Sequence, residues 1–207
     1  MLLYTIRYVG TKELLMHNER LANPLDPITQ SMKGMTAKKQ KTDADFKEIA
    51  ECEFRGGLYH DETIGVYVPD GWITGSLVAA GKKIRKKDVV RENILVLDQR
   101  MPLRYSDEKF LPKSVAGLWQ KKFYDQRMVG NQGKRVLRTR PKFPLGWSII
   151  ARVQFDETGL DKRIFEGLLK RTQTMGLGDY RPTYGTFEVE VLSAVSIDVD
   201  GREKEAA

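Results

Sequence analysis

The chain has 207 residues, a formal net charge of +7, 41% hydrophobic residues and one cysteine. The apolar share suffices for one packed domain, and the positive balance points to an anionic partner, nucleic acid ahead of a membrane surface. A lone Cys52 excludes an intrachain disulfide, no window holds the ~20 apolar residues of a membrane span, and Arg7 interrupts the apolar start, so a soluble cytoplasmic protein without a signal peptide is expected.

Leu2 to Val9 alternates as a strand that Leu14-Leu15-Met16 continues after Gly10. Asn18 to Gln40 is polar, with Pro24, Pro27 and Gly34, and reads as a mobile excursion with at most one short helix. Thr42 and Asp45 resemble a capping box opening a helix through Phe46, Ile49, Ala50, Glu53 and Phe54, stopped by Gly56-Gly57. Cys52 falls on this helix as a core residue.

Gly65 to Pro69 reads as a short strand. A helix from Asp70 follows, carrying Ile73, Leu77, Val78 and Ala80 and ending in the basic run Lys82 to Lys87. Asn93 to Leu97 reads as a buried strand and Ser106 to Gln120 as a loop with a weak helical stretch. Phe123 to Val129 and Val136 to Lys142 are strands joined by the turn Gly130-Asn131-Gln132-Gly133. Trp147, Ile149, Ala151, Val153 and Phe155 share one strand face. Leu160 to Met175 has helical spacing, and a last strand runs from Thr186 to about Val199 before a charged tail. A single domain over 1–207 is expected: α+β, ferredoxin-like (RRM-like), a βαββαβ sheet with insertions near 18–41 and 121–143.

Between Lys121 and Lys142 stand eight cations and one acid, Asp125. Arg138 and Arg140 fall on one strand face, a spacing suited to successive phosphates, although charge on a hairpin also serves to keep its edges apart. The segment Gly176-Leu177-Gly178-Asp179-Tyr180-Arg181-Pro182-Thr183-Tyr184-Gly185 joins the last helix to the last strand. Glycines there let backbone amides approach a polyanion, or else Gly176 is a plain helix C-cap. Tyr180 and Tyr184 flank Arg181 and are candidate base stackers.

Two segments resemble the RAMP superfamily, whose ferredoxin-like members build CRISPR effector complexes. One is Gly176-Leu177-Gly178 to Gly185, placed as that family's glycine-rich loop. The other is Val68-Pro69-Asp70-Gly71-Trp72-Ile73-Thr74-Gly75-Ser76-Leu77, similar to its strand-to-helix I-P-G-S-S-L-K-G segment. Leu14 to Asn18 sits where the family begins its first ligand-facing loop. The second G-x-G of the loop is absent here, since Thr186-Phe187 follow Gly185. The resemblance implies a non-catalytic protein that assembles along single-stranded RNA or DNA as a homo-oligomer or within a ribonucleoprotein. A phage single-stranded DNA-binding protein is the related alternative, and a partnership with an acidic protein is the alternative outside nucleic acid.

The expected nucleic-acid contacts are Lys122, Arg127, Lys134, Arg135, Arg138 and Arg140 on the hairpin. The loop adds Gly176, Gly178, Tyr180, Arg181, Tyr184 and Gly185; Lys82, Lys83, His17 and Arg20 complete the set. No cofactor, metal or membrane is expected: Cys52, His60 and Asp61 lack zinc spacing, and no Walker loop or nucleophile elbow is present. Among RAMP-type endoribonucleases a histidine works without metal. That leaves a second reading in which His17 is catalytic.

Overall fold

The computed structural model describes residues 1–131 and 133–198. Gln132 of the turn, Val199 at the expected end of the last strand, and the tail lie outside them. So do the side chains of Asn131 and Lys134.

The chain opens with β1 (Leu2–Gly10), in which Leu2, Tyr4, Ile6 and Tyr8 point into the core. Two residues, β2 (Leu14–Leu15), then pair with the hairpin rather than extending the first sheet, a correction to the expected continuation. The excursion carries regular structure. A 3-10 turn (Glu19–Ala22) leads to α1 (Pro27–Thr36), capped by Asp26, which accepts from the amides of Ile28 and Thr29. Pro27 suits the first helical turn, where its missing N–H is not needed. The buried Thr29 donates to the Arg20 carbonyl and ties turn to helix.

Thr42 and Asp45 form the expected capping box of α2 (Asp43–Gly57). Its final glycines are close-approach sites: a Cβ on Gly56 would lie 2.4 Å from the Leu21 side chain, and one on Gly57 2.8 Å from Pro141. Cys52 is only half-buried. Next come β3 (His60–Asp61), β4 (Gly65–Pro69) and α3 (Asp70–Lys83). The basic run does not simply end α3. It turns through Arg85, at φ 57°, into an unforeseen α4 (Lys87–Asn93).

The later elements are β5 (Ile94–Val96), β6 (Arg100–Pro102), α5 (Val115–Gln120), β7 (Tyr124–Asn131), β8 (Lys134–Phe143), β9 (Ser148–Phe155), α6 (Lys162–Thr172) and β10 (Phe187–Ser196). β6 was not legible, since three residues carry too little alternation.

The protein is a mixed α+β fold with three antiparallel sheets among its described residues. The largest has the order β10-β1-β9-β5; the others are β2-β8-β7 and β3-β4-β6. Beneath the largest sheet, Tyr4 meets Phe165 of α6 edge-on at 5.0 Å, and Phe155 stacks on the same ring at 4.3 Å. From α3, Ile73, Leu77 and Ala80 join the same core. The opposite face of β1 and β9 carries Leu3, Thr5, Arg7, Val9, Ser148, Ile150, Arg152 and Gln154, with no aromatic ring. Bases therefore find no stacking platform on those two strands, in contrast to sheets that stack bases on aromatics. Any such surface has to be built elsewhere.

Candidate nucleic-acid interface

The β7–β8 hairpin is rooted through β2, where Leu14 pairs with Phe143 and Leu15 with Lys142. The glycine loop closes on the other side of β2. Asp179 N donates to the Leu15 carbonyl and Gly185 N to that of Glu13, each at 2.8 Å. Hairpin base, β2 and glycine loop are thus consecutive ribbons, which brings two segments about forty residues apart in sequence side by side.

The glycines serve that closure. Gly176, Gly178 and Gly185 have φ of 75°, 77° and 70°, conformations that glycine adopts without a Cβ clash. An added Cβ would lie 2.3 Å from the Leu15 carbonyl oxygen at Gly178 and 1.9 Å from that of Leu177 at Gly185. The amides of Leu177, Asp179, Tyr180, Tyr184 and Gly185 all donate within the protein. The missing Cβ atoms are therefore spent against the chain's own backbone, and these five amides are not free to face an anion. Tyr180, Arg181, Pro182 and Thr183 remain exposed at the crest.

Arginines of the hairpin lock onto this crest. The Arg127 guanidinium lies 5.1 Å from the Tyr184 ring centre and 5.5 Å from that of Tyr180, and Arg140 lies 4.8 Å from Tyr180. Such cation–π contacts contribute about 0.5–2 kcal/mol each. Arg127 also donates to the Tyr184 hydroxyl and to Asp125. That hydrogen bond, ahead of charge, holds the Asp125 carboxyl below its usual range. The two candidate stackers are thus already engaged by arginine, with Tyr180 still 37% exposed.

Charge pairing continues along β8. Arg138 bonds to Glu53 of α2, whose other oxygen accepts from Thr139 N at 2.8 Å. Arg140 Nε lies 2.8 Å from Asp179, and Lys142 lies 3.2 Å from Glu13. Arg140 Nε, despite that ion-pair contact, and Arg140 Nη1 are both buried without a hydrogen bond among the described residues.

Where the hairpin meets the excursion, a cleft of about 360 Å³ opens. His17, Glu53, Arg138, Thr139 and Arg140 form its polar side; Leu21, Ala22, Met32 and Val129 form its apolar side. His17 stands at its mouth. Its ring is exposed by area yet crowded enough that desolvation lowers its pKa below the ordinary histidine value; Asp179 and Glu53 oppose this, while Arg140 and Arg138 reinforce it.

Of the expected contacts, His17, Arg138 and Arg140 meet in the cleft, and Arg127, Tyr180 and Tyr184 lie beside it. Arg135 and Lys122 are exposed on the hairpin and at its base. Arg181 is exposed on the loop crest. Arg20 is turned away, pairing with Asp26 and lining a separate groove with His60 and Leu58. Lys82 and Lys83 are exposed at the far end of α3, whose 14 residues place them roughly 20 Å from its start beside the glycine loop.

Glu53, Asp179 and the apolar wall were missed. A signal for Glu53 existed: it falls one turn after Ile49 on the apolar stripe of α2, and an acid there needs a buried partner. Nothing in the sequence pairs Asp179 with Arg140. Among the described residues no group of His, Cys, Asp and Glu is arranged to hold a metal, and no helix is long and apolar enough to cross a membrane.

No protein-family model matches the chain, and no curated protein matches it.

Proposed function

We propose that this chain binds single-stranded nucleic acid without sequence preference and assembles along it, as a diverged RAMP-like protein on a ferredoxin-like unit. The observation that carries the reading is the cleft, where His17, Arg138 and Arg140 converge at the base of a hairpin on which Arg135 is exposed further out. Arginine has five N–H donors, so a guanidinium already held by one carboxylate keeps donors for a phosphate oxygen.

The fold supports the likeness in two ways. In the largest sheet β1 and β9 are central, and helices follow the first and third of its strands in chain order, an arrangement compatible with β-α-β-β-α-β. The two segments that resemble the RAMP superfamily also meet: a Cβ on Gly178 would stand 3.3 Å from the Trp72 ring.

The test is fluorescence anisotropy with labelled oligo-U, oligo-dT and a duplex across a salt series. Tight binding of the single strands over the duplex is expected, with a log–log salt slope of roughly −0.7 per phosphate contact. Equal affinity for all three, or none at low salt, refutes the reading. A second reading as an endoribonuclease draws on His17, a histidine inclined to be neutral beside two arginines. RNA cleavage in EDTA that disappears in His17→Ala would establish it.

A further inference from the structure

We propose that the free edge of β10 pairs with the same edge of a second copy about a two-fold axis, through the stretch Val191–Ser196, so that the two largest sheets run on as one. The inference stands apart from the single-strand reading. Copies set along one strand share its direction and meet head to tail, whereas a two-fold contact uses one surface twice and stops at two.

What the edge leaves open is the first argument. In its sheet β10 pairs with β1 on one side and, among the described residues, with no strand on the other. At 10 residues it presents a long row of backbone donors and acceptors, the kind of surface that templates pairing with another chain. Only Phe187 of the strand is buried. Val191 lies opposite the core residue Ile6 and so faces the helix layer, yet it is 47% exposed, and its neighbour Leu192 is 40% exposed. The helices therefore stop short of this half of β10, and an apolar border runs beside the open edge.

Charge supplies the second argument. Exposed edges are ordinarily protected by lysine, proline or shortness. In a chain with 30% charged residues, Phe187–Ser196 holds no Lys, Arg or Pro, and its acids, Glu188 and Glu190, both stand in the first half. Val191–Ser196 is uncharged. The ladder with β1 skips Leu192, since Thr5 pairs with Ser193 and Ile6 with Val191, so a bulge bends the strand where the uncharged stretch begins. Bulges deter pairing, which puts the axis on the regular run beyond it. Antiparallel partners share a face, so an axis at Ala194 sets that residue against its own copy and Ser193 against Val195. Alanine's single methyl leaves room there, and Glu188 and its copy end roughly 40 Å apart. Ala194 also lies roughly 23 Å along the strand from Phe187, where the glycine loop enters, so the pairing leaves that loop uncovered.

The experiment is sedimentation equilibrium of the full chain without nucleic acid, from low to several hundred micromolar. A reversible monomer–dimer equilibrium in the micromolar range is expected, because pairing of one strand covers less surface than a standard interface. Ser193→Lys, at an exposed position, should weaken the dimer about tenfold or more and leave the melting temperature unchanged. In a Cys52→Ser background treated with copper phenanthroline as oxidant, Ala194→Cys should form a disulfide-linked dimer, because a residue on the axis faces itself, and Glu188→Cys should not. Monomer throughout the range overturns the proposal. A dimer that resists Ser193→Lys, or that gives no cross-link in Ala194→Cys, overturns the assignment to this edge. Growth beyond two copies overturns the two-fold axis. All of these are read without nucleic acid, so the single-strand reading keeps its own separate test.

Discussion

The base and the outer part of the β7–β8 hairpin both carry cations and differ in what those cations meet. At the base, Arg127, Arg138, Arg140 and Lys142 are all paired with acids, and three of those four acids come from outside the hairpin. Further out, Arg135 is exposed with no acid partner among the described residues, near Met128 and Leu137 at 56% and 41% exposure. The lesson is that formal charge is not available charge. Eight cations against one acid in the sequence become a surplus of about half that size once Glu13, Glu53 and Asp179 fold against them. The base is a bracket that holds the glycine loop, and the outer hairpin leaves Arg135 exposed.

The strongest way to break this contrast is to attack the bracket. Gly185→Ala sets a Cβ against the Leu177 carbonyl at a left-handed φ, and should cost more than about 3 kcal/mol in urea unfolding. Recovery of wild-type stability would mean the loop is not closed as described. Arg138→Glu places a second acid beside the buried Glu53 and should cost about 3 kcal/mol or more. The double variant Glu53→Gln, Arg138→Gln should recover most of that loss, which thermal melting can check.

At the outer hairpin the expected effect falls on affinity alone. Arg135→Glu should lower oligonucleotide affinity about 10-fold and flatten the salt slope by about 0.7, with stability changed by less than about 0.5 kcal/mol. A loss of stability equal to that at the base would erase the distinction between the two regions.

The pH dependence is smaller and has two opposite signs. The His17 pKa lies below its unfolded value, so the fold binds fewer protons and loses stability as pH falls through the ordinary histidine range. A phosphate bound beside His17, as the proposed function requires, would favour the charged ring, so affinity should rise several-fold between about pH 8 and 5.5. His17→Ala should flatten both trends. The smallest expected effect is Tyr184→Phe, which removes the acceptor of one Arg127 hydrogen bond and should cost about 1 kcal/mol.

Periodicity and capping were legible from the residues because they are local. The alternation of Trp147 to Phe155 became β9, Thr42 and Asp45 became the capping box of α2, and the two basic strands became the hairpin. Short pieces were not legible: β6 and α4 owe their form to neighbours rather than to pattern. In the excursion the helix is held by the Asp26 cap and by packing on α2, which its polar surface did not disclose.

By itself, then, the sequence determined the longer strands and helices of the core, the amount of positive charge and the presence of a glycine-rich loop after α6, since each follows from neighbouring residues. Tertiary structure alone decided which cations are neutralised, that the glycines face backbone, and that His17, Met32 and Arg140 border one cleft. Those outcomes depend on contacts between residues tens of positions apart, and local sequence carries no record of which distant side chain will arrive.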